Sequence, residues 1–322
     1  MIPIRDTIPS KNYPIVNYTI IGLNIFFFYI QSLQGNRIDQ FLYLYGLVPA
    51  RYSIPYISEY FHWGQQFFSF LSFMFLHGDF LHLLGNMWSL WIFGDNVEDK
   101  LGSIRYALFY LFCGFVSGLV QLFFNLHANI PTIGASGAIA GVMGAYFILY
   151  PNAKILTLIP IIIIPWFVEL PAFIFLGFWF LMQFINAASA SVHMSNIAWW
   201  AHIGGFVCGM ILLKVFHRIP AIGIQDRIRY VTEKKTTPVL QVIQVTGHID
   251  DPNLYGRLNI TPHEAMHGAI KMVNIPWGFY TRMYKIKIPP GTSSTSVLRL
   301  QGLGKINANG QRGDLMLTIF VA

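Results

Sequence analysis

Three stretches far apart in the chain carry polar residues whose types and spacing could do chemistry in apolar surroundings. His77, His82 and Asn86 open one apolar run, Ser136 opens a second in GASGAIAG (134–141), and His202 opens a third in AHIGG (201–205). A serine hydroxyl is a weak nucleophile until a base takes its proton, and histidine is the usual base. Ser136 and His202 are the pair that could act in this way. His82 and Asn86 are spaced i, i+4, so on a helix they share one face, and both can donate to a developing oxyanion. At a helix start, Ser136 would also turn its own backbone N–H outward with the positive end of the helix dipole.

These residues need elements that bring them together. Of the 322 residues, 54% are hydrophobic and only 11% charged, with a mean hydropathy of +0.51. Soluble domains carry about 25% charged residues. The deficit excludes a disordered chain and an ordinary water-soluble enzyme, and it points to a lipid surround. A spanning helix needs about 20 mostly apolar residues. Six segments are candidates, near 15–33, 71–93, 104–126, 135–150, 168–187 and 197–216. The predicted fold class is an all-α polytopic membrane bundle of six transmembrane helices, followed by a small β-rich soluble domain. The first segment reads as an anchor rather than a cleaved leader. Ile155–Trp166 is apolar but interrupted by Pro160 and Pro165, and reads as an interfacial loop. Cys113 and Cys208 lie in apolar runs and read as small core residues, with no disulfide and no metal implied.

Lysine and arginine set the orientation. They precede the first segment (Arg5, Lys11) and separate the second from the third (Lys100, Arg105) and the fourth from the fifth (Lys154). Lys214, Arg218, Arg227 and Arg229 follow the sixth. Only 34–66 breaks the pattern, with Arg37 and Arg51. Both termini are therefore expected inside, and the second, fourth and sixth helices begin on the outer side. His82, Ser136 and His202 then share one depth and one face. Polar groups there are costly and usually functional. Gly137 with Gly141, and Gly205 with Gly209, form two GxxxG patterns that would let helix backbones approach closely. With no carboxylate partner in sight, His202 is expected to be held by packing alone.

Residues 1–213 carry a net charge of −1 and residues 214–322 one of +8. The expected division is a membrane domain over 1–217, a basic linker over 218–238 and a β domain over 239–322. VLQVIQVTG, YKIKIPPGT, SVLRLQGLG and DLMLTIFVA read as strands, with one short helix near 261–270. His263-Glu264-Ala265-Met266-His267 fits HExxH, but a zinc protease needs a third ligand, and only Asp314 follows as a side-chain carboxylate.

The segments FLHGDFLHLLGNMWSLWIFGDNVEDKLG (75–102), GASGAIAG and AWWAHIGGFVCG (198–209) closely resemble the rhomboid intramembrane serine proteases, over roughly 15–216. The resemblance implies a Ser136–His202 dyad without an aspartate, and an oxyanion site from His82, Asn86 and the Ser136 N–H. It also implies that His77 and Gly134 line the site. Two features depart from the family: QQFFSFLS (65–72) stands where many members have Trp-Arg, and Ala140 stands where some have a ring against the histidine. That replacement predicts a more loosely held base.

Residues 260–273 and 286–321 are similar to the carboxy-terminal substrate-binding domain of DnaJ-type chaperones, on Glu264-Ala265, Gly268, Pro289-Pro290-Gly291 and Gly313-Asp314. No His-Pro-Asp sequence occurs, so chaperone cycling is not implied. The combined expectation is a serine endopeptidase that cuts transmembrane substrates near the outer face of a bacterial plasma membrane. Both termini would be cytoplasmic. Its partners would be transmembrane proteins, lipid, and an inside-facing peptide or protein held by the last domain. Neither cofactor nor nucleic acid is expected. The rival is an inactive rhomboid-like scaffold that binds transmembrane helices.

Overall fold

The computed structural model describes residues 1–161, 164–189, 197–218, 223–234, 237, 240–247, 251–277, 280–306 and 312–321. The chain forms two compact units, Met1–Thr232 and Glu233–Ala322.

The first unit begins with strand β1 (Ile2–Asp6) and helix α1 (Ile15–Ser32). The first N–H groups of α1, which have no partner within the helix, are met by a buried carboxylate: Glu98 accepts from the backbone of Val16 and Asn17. Such termini otherwise leave orphan donors. Short helices α2 (Ile38–Tyr45), α3 (Ala50–Ser53), α4 (Pro55–Ser58) and α5 (Trp63–Ser72) follow. They are organised around Arg51, which is fully buried. Its guanidinium sits 3.8 Å from the Phe61 ring centroid and 4.8 Å from that of Tyr43, and it donates to the Leu44 carbonyl. Cation–π contacts of this kind strengthen when desolvated. One of the two arginines that broke the charge pattern, Arg51, thus anchors this segment from within.

Helices α6 (Phe80–Leu101), α7 (Ser103–Phe124), α8 (Ser136–Leu149), α9 (Ala172–Ser189) and α10 (Trp199–Arg218) complete the helical core, and α11 (Gly223–Thr232) closes the unit. α11 lies inside the stretch expected to be linker. Among the described residues, α1, α7, α9 and α10 are each long and apolar enough to cross a membrane. The chain through α5 and α6 bends by 79° and counts as a fifth candidate if taken as one span. α8 is apolar but has only 14 residues. The core is therefore helical with four or five candidate spans among the described residues, and six spans are not all met by length.

The segment read as an interfacial loop is instead a β-hairpin. Strands β2 (Lys154–Ile161) and β3 (Ile164–Pro171) pair antiparallel, and β1 adds to β2 to give the order β1-β2-β3. The two prolines explain how. Pro160 faces Pro165 near the hairpin tip, and β1 reaches only to Leu158, so neither missing N–H costs a bond to β1.

In the second unit, short strands β4 (Leu240–Val242) and β5 (Val245–Thr246) stand where one strand was expected, and they enter different sheets. Then come β6 (Leu254–Ile260), α12 (Pro262–His267), β7 (Ala269–Trp277), β8 (Tyr280–Ile288), β9 (Val297–Leu300) and β10 (Leu315–Val321). The sheets run β5-β6-β10-β9 and β4-β7-β8 around a core that includes Leu258, Val273, Ile286 and Leu317. β6 and β7 were not foreseen. In β6, Gly256 interrupts the apolar alternation, and a Cβ there would meet Ile243 Cγ2 at 2.5 Å.

Candidate active site

Ser136 is the first residue of α8 and His202 lies in the first turn of α10. Their helices touch backbone to backbone. A Cβ on Gly205 would lie 1.9 Å from the Gly137 carbonyl oxygen, one on Gly209 1.9 Å from that of Gly141, and one on Gly144 2.2 Å from that of Phe206. No other residue type fits these positions at this separation. The approach brings Ser136 Oγ to 2.8 Å from His202 Nε2.

The imidazole is held from its other side as well. His202 Nδ1 lies 2.8 Å from Gln183 Oε1 on α9. Trp179 and Trp199 approach the ring, with centroids at 5.9 and 6.0 Å. Packing alone does not hold the histidine: an acceptor at Nδ1 and two indole rings do so together. In the sequence Gln183 is one of two amides in this run, with Asn186, so residue type alone did not single it out.

The start of α6 supplies the third face. Asp79 caps this helix, its carboxylate accepting from the His82 backbone N–H at 2.8 Å. The Gly78 N–H donates across 3.4 Å to His82 Nδ1, which leaves Nε2 as the protonated nitrogen. Nε2 passes over Gly134: a Cβ on that glycine would meet it at 2.9 Å and Ser136 Oγ at 3.5 Å. Gly134 also has φ +126°, which side-chain-bearing residues rarely adopt. Asn86 lies one turn beyond His82, and its buried Nδ2 has no hydrogen-bond partner among the described residues. A buried donor left open in this way is costly unless something fills it. His77 is fully buried, 5.1 Å from the His82 ring, and Gln31 of α1 bonds both its N–H and its carbonyl. Gly134, Ser136, His202, His82 and His77 are thus brought together at one end of the helices, with Asn86 a turn deeper.

In the second unit, His263 and His267 stack at 4.3 Å on a six-residue helix. Glu264 is not a free base: it accepts from the Lys271 ammonium and from the Thr261 N–H.

An apolar helical bundle with a glycine-spaced helix pair and a hydrogen-bonded serine and histidine at its end defines a class of polytopic membrane protein. The comparisons with known proteins agree. Residues 64–219 match the Rhomboid domain, and residues 241–322 match the DnaJ C terminal domain. The chain thus joins a segment similar to rhomboid domains to one similar to the DnaJ C terminal domain. It is 29% identical over 199 residues to "Rhomboid protein 1, mitochondrial" of Saccharomyces cerevisiae, covering 60% of this chain and 51% of that one. It is 32% identical over 157 residues to "RHOMBOID-like protein 1" of Arabidopsis thaliana, covering 46% and 34%. It is 34% identical over 141 residues to "Putative rhomboid protease YdcA" of Bacillus subtilis, covering 43% and 61%. The chain spans about half or less of the length of the first two relatives.

Proposed function

We propose that this protein is an intramembrane serine endopeptidase that hydrolyses peptide bonds of transmembrane substrates near the outer membrane face. The observation that carries this reading is the 2.8 Å separation of Ser136 Oγ and His202 Nε2. His202 Nε2 takes the hydroxyl proton as Oγ attacks the scissile carbonyl. The oxyanion is met by the Ser136 N–H, by His82 Nε2–H and by Asn86 Nδ2. The imidazolium returns its proton to the leaving amine. Water then repeats the sequence on the acyl-enzyme and frees Ser136. In this reading α1, α6, α7, α8, α9 and α10 all cross the bilayer, with both termini on the cytoplasmic side. The DnaJ-like domain there holds an inside-facing peptide segment or partner.

A fluorophosphonate tests the reading directly. The purified protein should be labelled at Ser136 and should cleave a model transmembrane substrate, and Ser136→Ala should lose both while expressing and folding normally. An unlabelled wild-type protein that still binds transmembrane helices would instead be a scaffold.

A further inference from the structure

Gln183 is buried, 5% exposed, on a helix that carries neither Ser136 nor His202. Its amide makes two bonds. Nε2 donates to the Trp179 carbonyl at 3.0 Å, and Oε1 lies 2.8 Å from His202 Nδ1. The orientation of the amide is not arbitrary. A carbonyl can only accept, so the amide end facing Trp179 must be the NH₂. The end facing His202 is then an oxygen, which can only accept as well. Nδ1 must therefore carry the proton. In a neutral imidazole this leaves Nε2 with a bare lone pair, and Nε2 is the nitrogen that faces Ser136 Oγ.

We infer that Gln183 is a positioning residue that selects the Nδ1–H tautomer of His202, and so makes it a base toward Ser136. The inference rests on the serine protease reading for its kinetic consequence but not for the tautomer itself. A neutral acceptor here does part of what a buried carboxylate does in other serine enzymes: it fixes the ring's rotation and tautomer and bonds the imidazolium once it forms. The Trp179 carbonyl acts through Gln183, one helical turn away, so the register of α9 is read directly by the base.

The test has two arms. In the first, ¹⁵N-histidine labelling of the full-length protein in detergent reads the tautomer of His202, assigned by its loss in His202→Ala. Wild type should show Nδ1–H, and Gln183→Leu should show a mixture or the Nε2–H form. In the second arm, Gln183→Leu should lower kcat by about 10- to 100-fold, the range expected for a lost hydrogen bond to a group that becomes charged, with KM little changed. Gln183→Glu should recover most of the rate. In this apolar site a protonated carboxyl can donate to Trp179 and still accept from Nδ1. An Nε2–H His202 in wild type overturns the inference even if the enzyme is active. So does a folded Gln183→Leu with wild-type kcat, or a Glu variant no better than Leu. Failure of the protease reading would show differently, as a wild-type protein with the Nδ1–H tautomer that neither labels nor cleaves.

Discussion

Gly205 on α10 stands so close to Gly137 on α8 that a single added carbon would lie 1.9 Å from the Gly137 carbonyl oxygen and 3.4 Å from Ala140 Cβ. The contact is one turn from His202 and one residue from Ser136, so helix separation and the geometry of the pair are one variable. Gly205→Leu should force the helices apart. Overpacking of this kind costs about 1–3 kcal/mol or more. Ser136 labelling should fall with it, although residue 205 touches no substrate. Gly22→Ala on α1 is the control, since nothing lies within 4 Å of its missing Cβ. That variant should melt no lower than wild type, alanine being the better helix former, and should label equally. Wild-type labelling by Gly205→Leu would show that close approach at this glycine does not position the pair.

The two donors on α6 should be graded below the nucleophile. Removing one oxyanion donor typically costs about 10²–10³ in turnover. Asn86→Ala and His82→Ala should each fall by about that factor, while Ser136→Ala should fall to background. Turnover within twofold of wild type in both donor variants would remove them from the site.

Asp6 on β1 should make the first unit sensitive to pH. Burial pushes its carboxyl up to about 7, the Tyr146 hydroxyl that donates to it only partly offsets this, and the Asp95 carboxylate raises it further. The folded value lies above the unfolded one of about 3.9. The folded state therefore holds the proton more tightly, and its stability is full at low pH and falls as pH rises from about 4 through about 7. Asp6→Asn keeps an acceptor for Tyr146 and for Asn96 Nδ2, which now bonds the carboxylate at 2.8 Å. Thermal unfolding at pH 5 and pH 8 should show the variant losing the wild-type decline and melting higher at pH 8. An unchanged pH dependence would mean that Asp6 is not its source.

The second unit should respond in the opposite direction. Burial pushes the Glu264 carboxyl up, but the Lys271 ammonium, the Thr261 and Thr237 amides and the Thr237 hydroxyl outweigh it and hold it below the ordinary glutamate range. A depressed carboxyl contributes stability above its unfolded value of about 4.3, and this is lost as pH falls through the folded value. Both side chains are almost fully buried. Lys271→Met should destabilise the unit by about 3–5 kcal/mol, because it strands a buried carboxylate. Adding Glu264→Gln should recover part of the loss. Hydrogen exchange of the β7 and β10 amides in the full chain reads both effects, and equal protection in wild type and Lys271→Met would refute them.

A truncation separates the two units. The Tyr13 N–H donates to the Thr232 carbonyl at 2.8 Å, so a cut at about residue 220 would remove part of the first unit, and the informative cut falls after Thr232. That protein should still cleave a simple model substrate and should fail only on those with an inside-facing segment the second unit can hold. A folded truncation inactive on every substrate would mean that the second unit controls the site.

Much of this was legible in the linear chain. The helices α1, α7 and α10 follow from apolar runs of spanning length, because lipid leaves the backbone little alternative. Ser136, His202, His82 and Asn86 announced themselves because polar residues in such runs are rare, and the glycine spacings announced the α8–α10 contact. What the chain could not display was non-local. Pro160 and Pro165 read as helix breakers, and only pairing with each other and with the distant β1 turned them into a hairpin. Arg51 read as an exception to a charge rule, and only the rings of Tyr43 and Phe61 made it an anchor. Gln183 was one amide among many residues until α9 brought it against His202. Residue type and local period are properties of the sequence. Which nitrogen of a histidine carries a proton depends on which atom lies 2.8 Å away across a helix interface, and tertiary packing alone decides that.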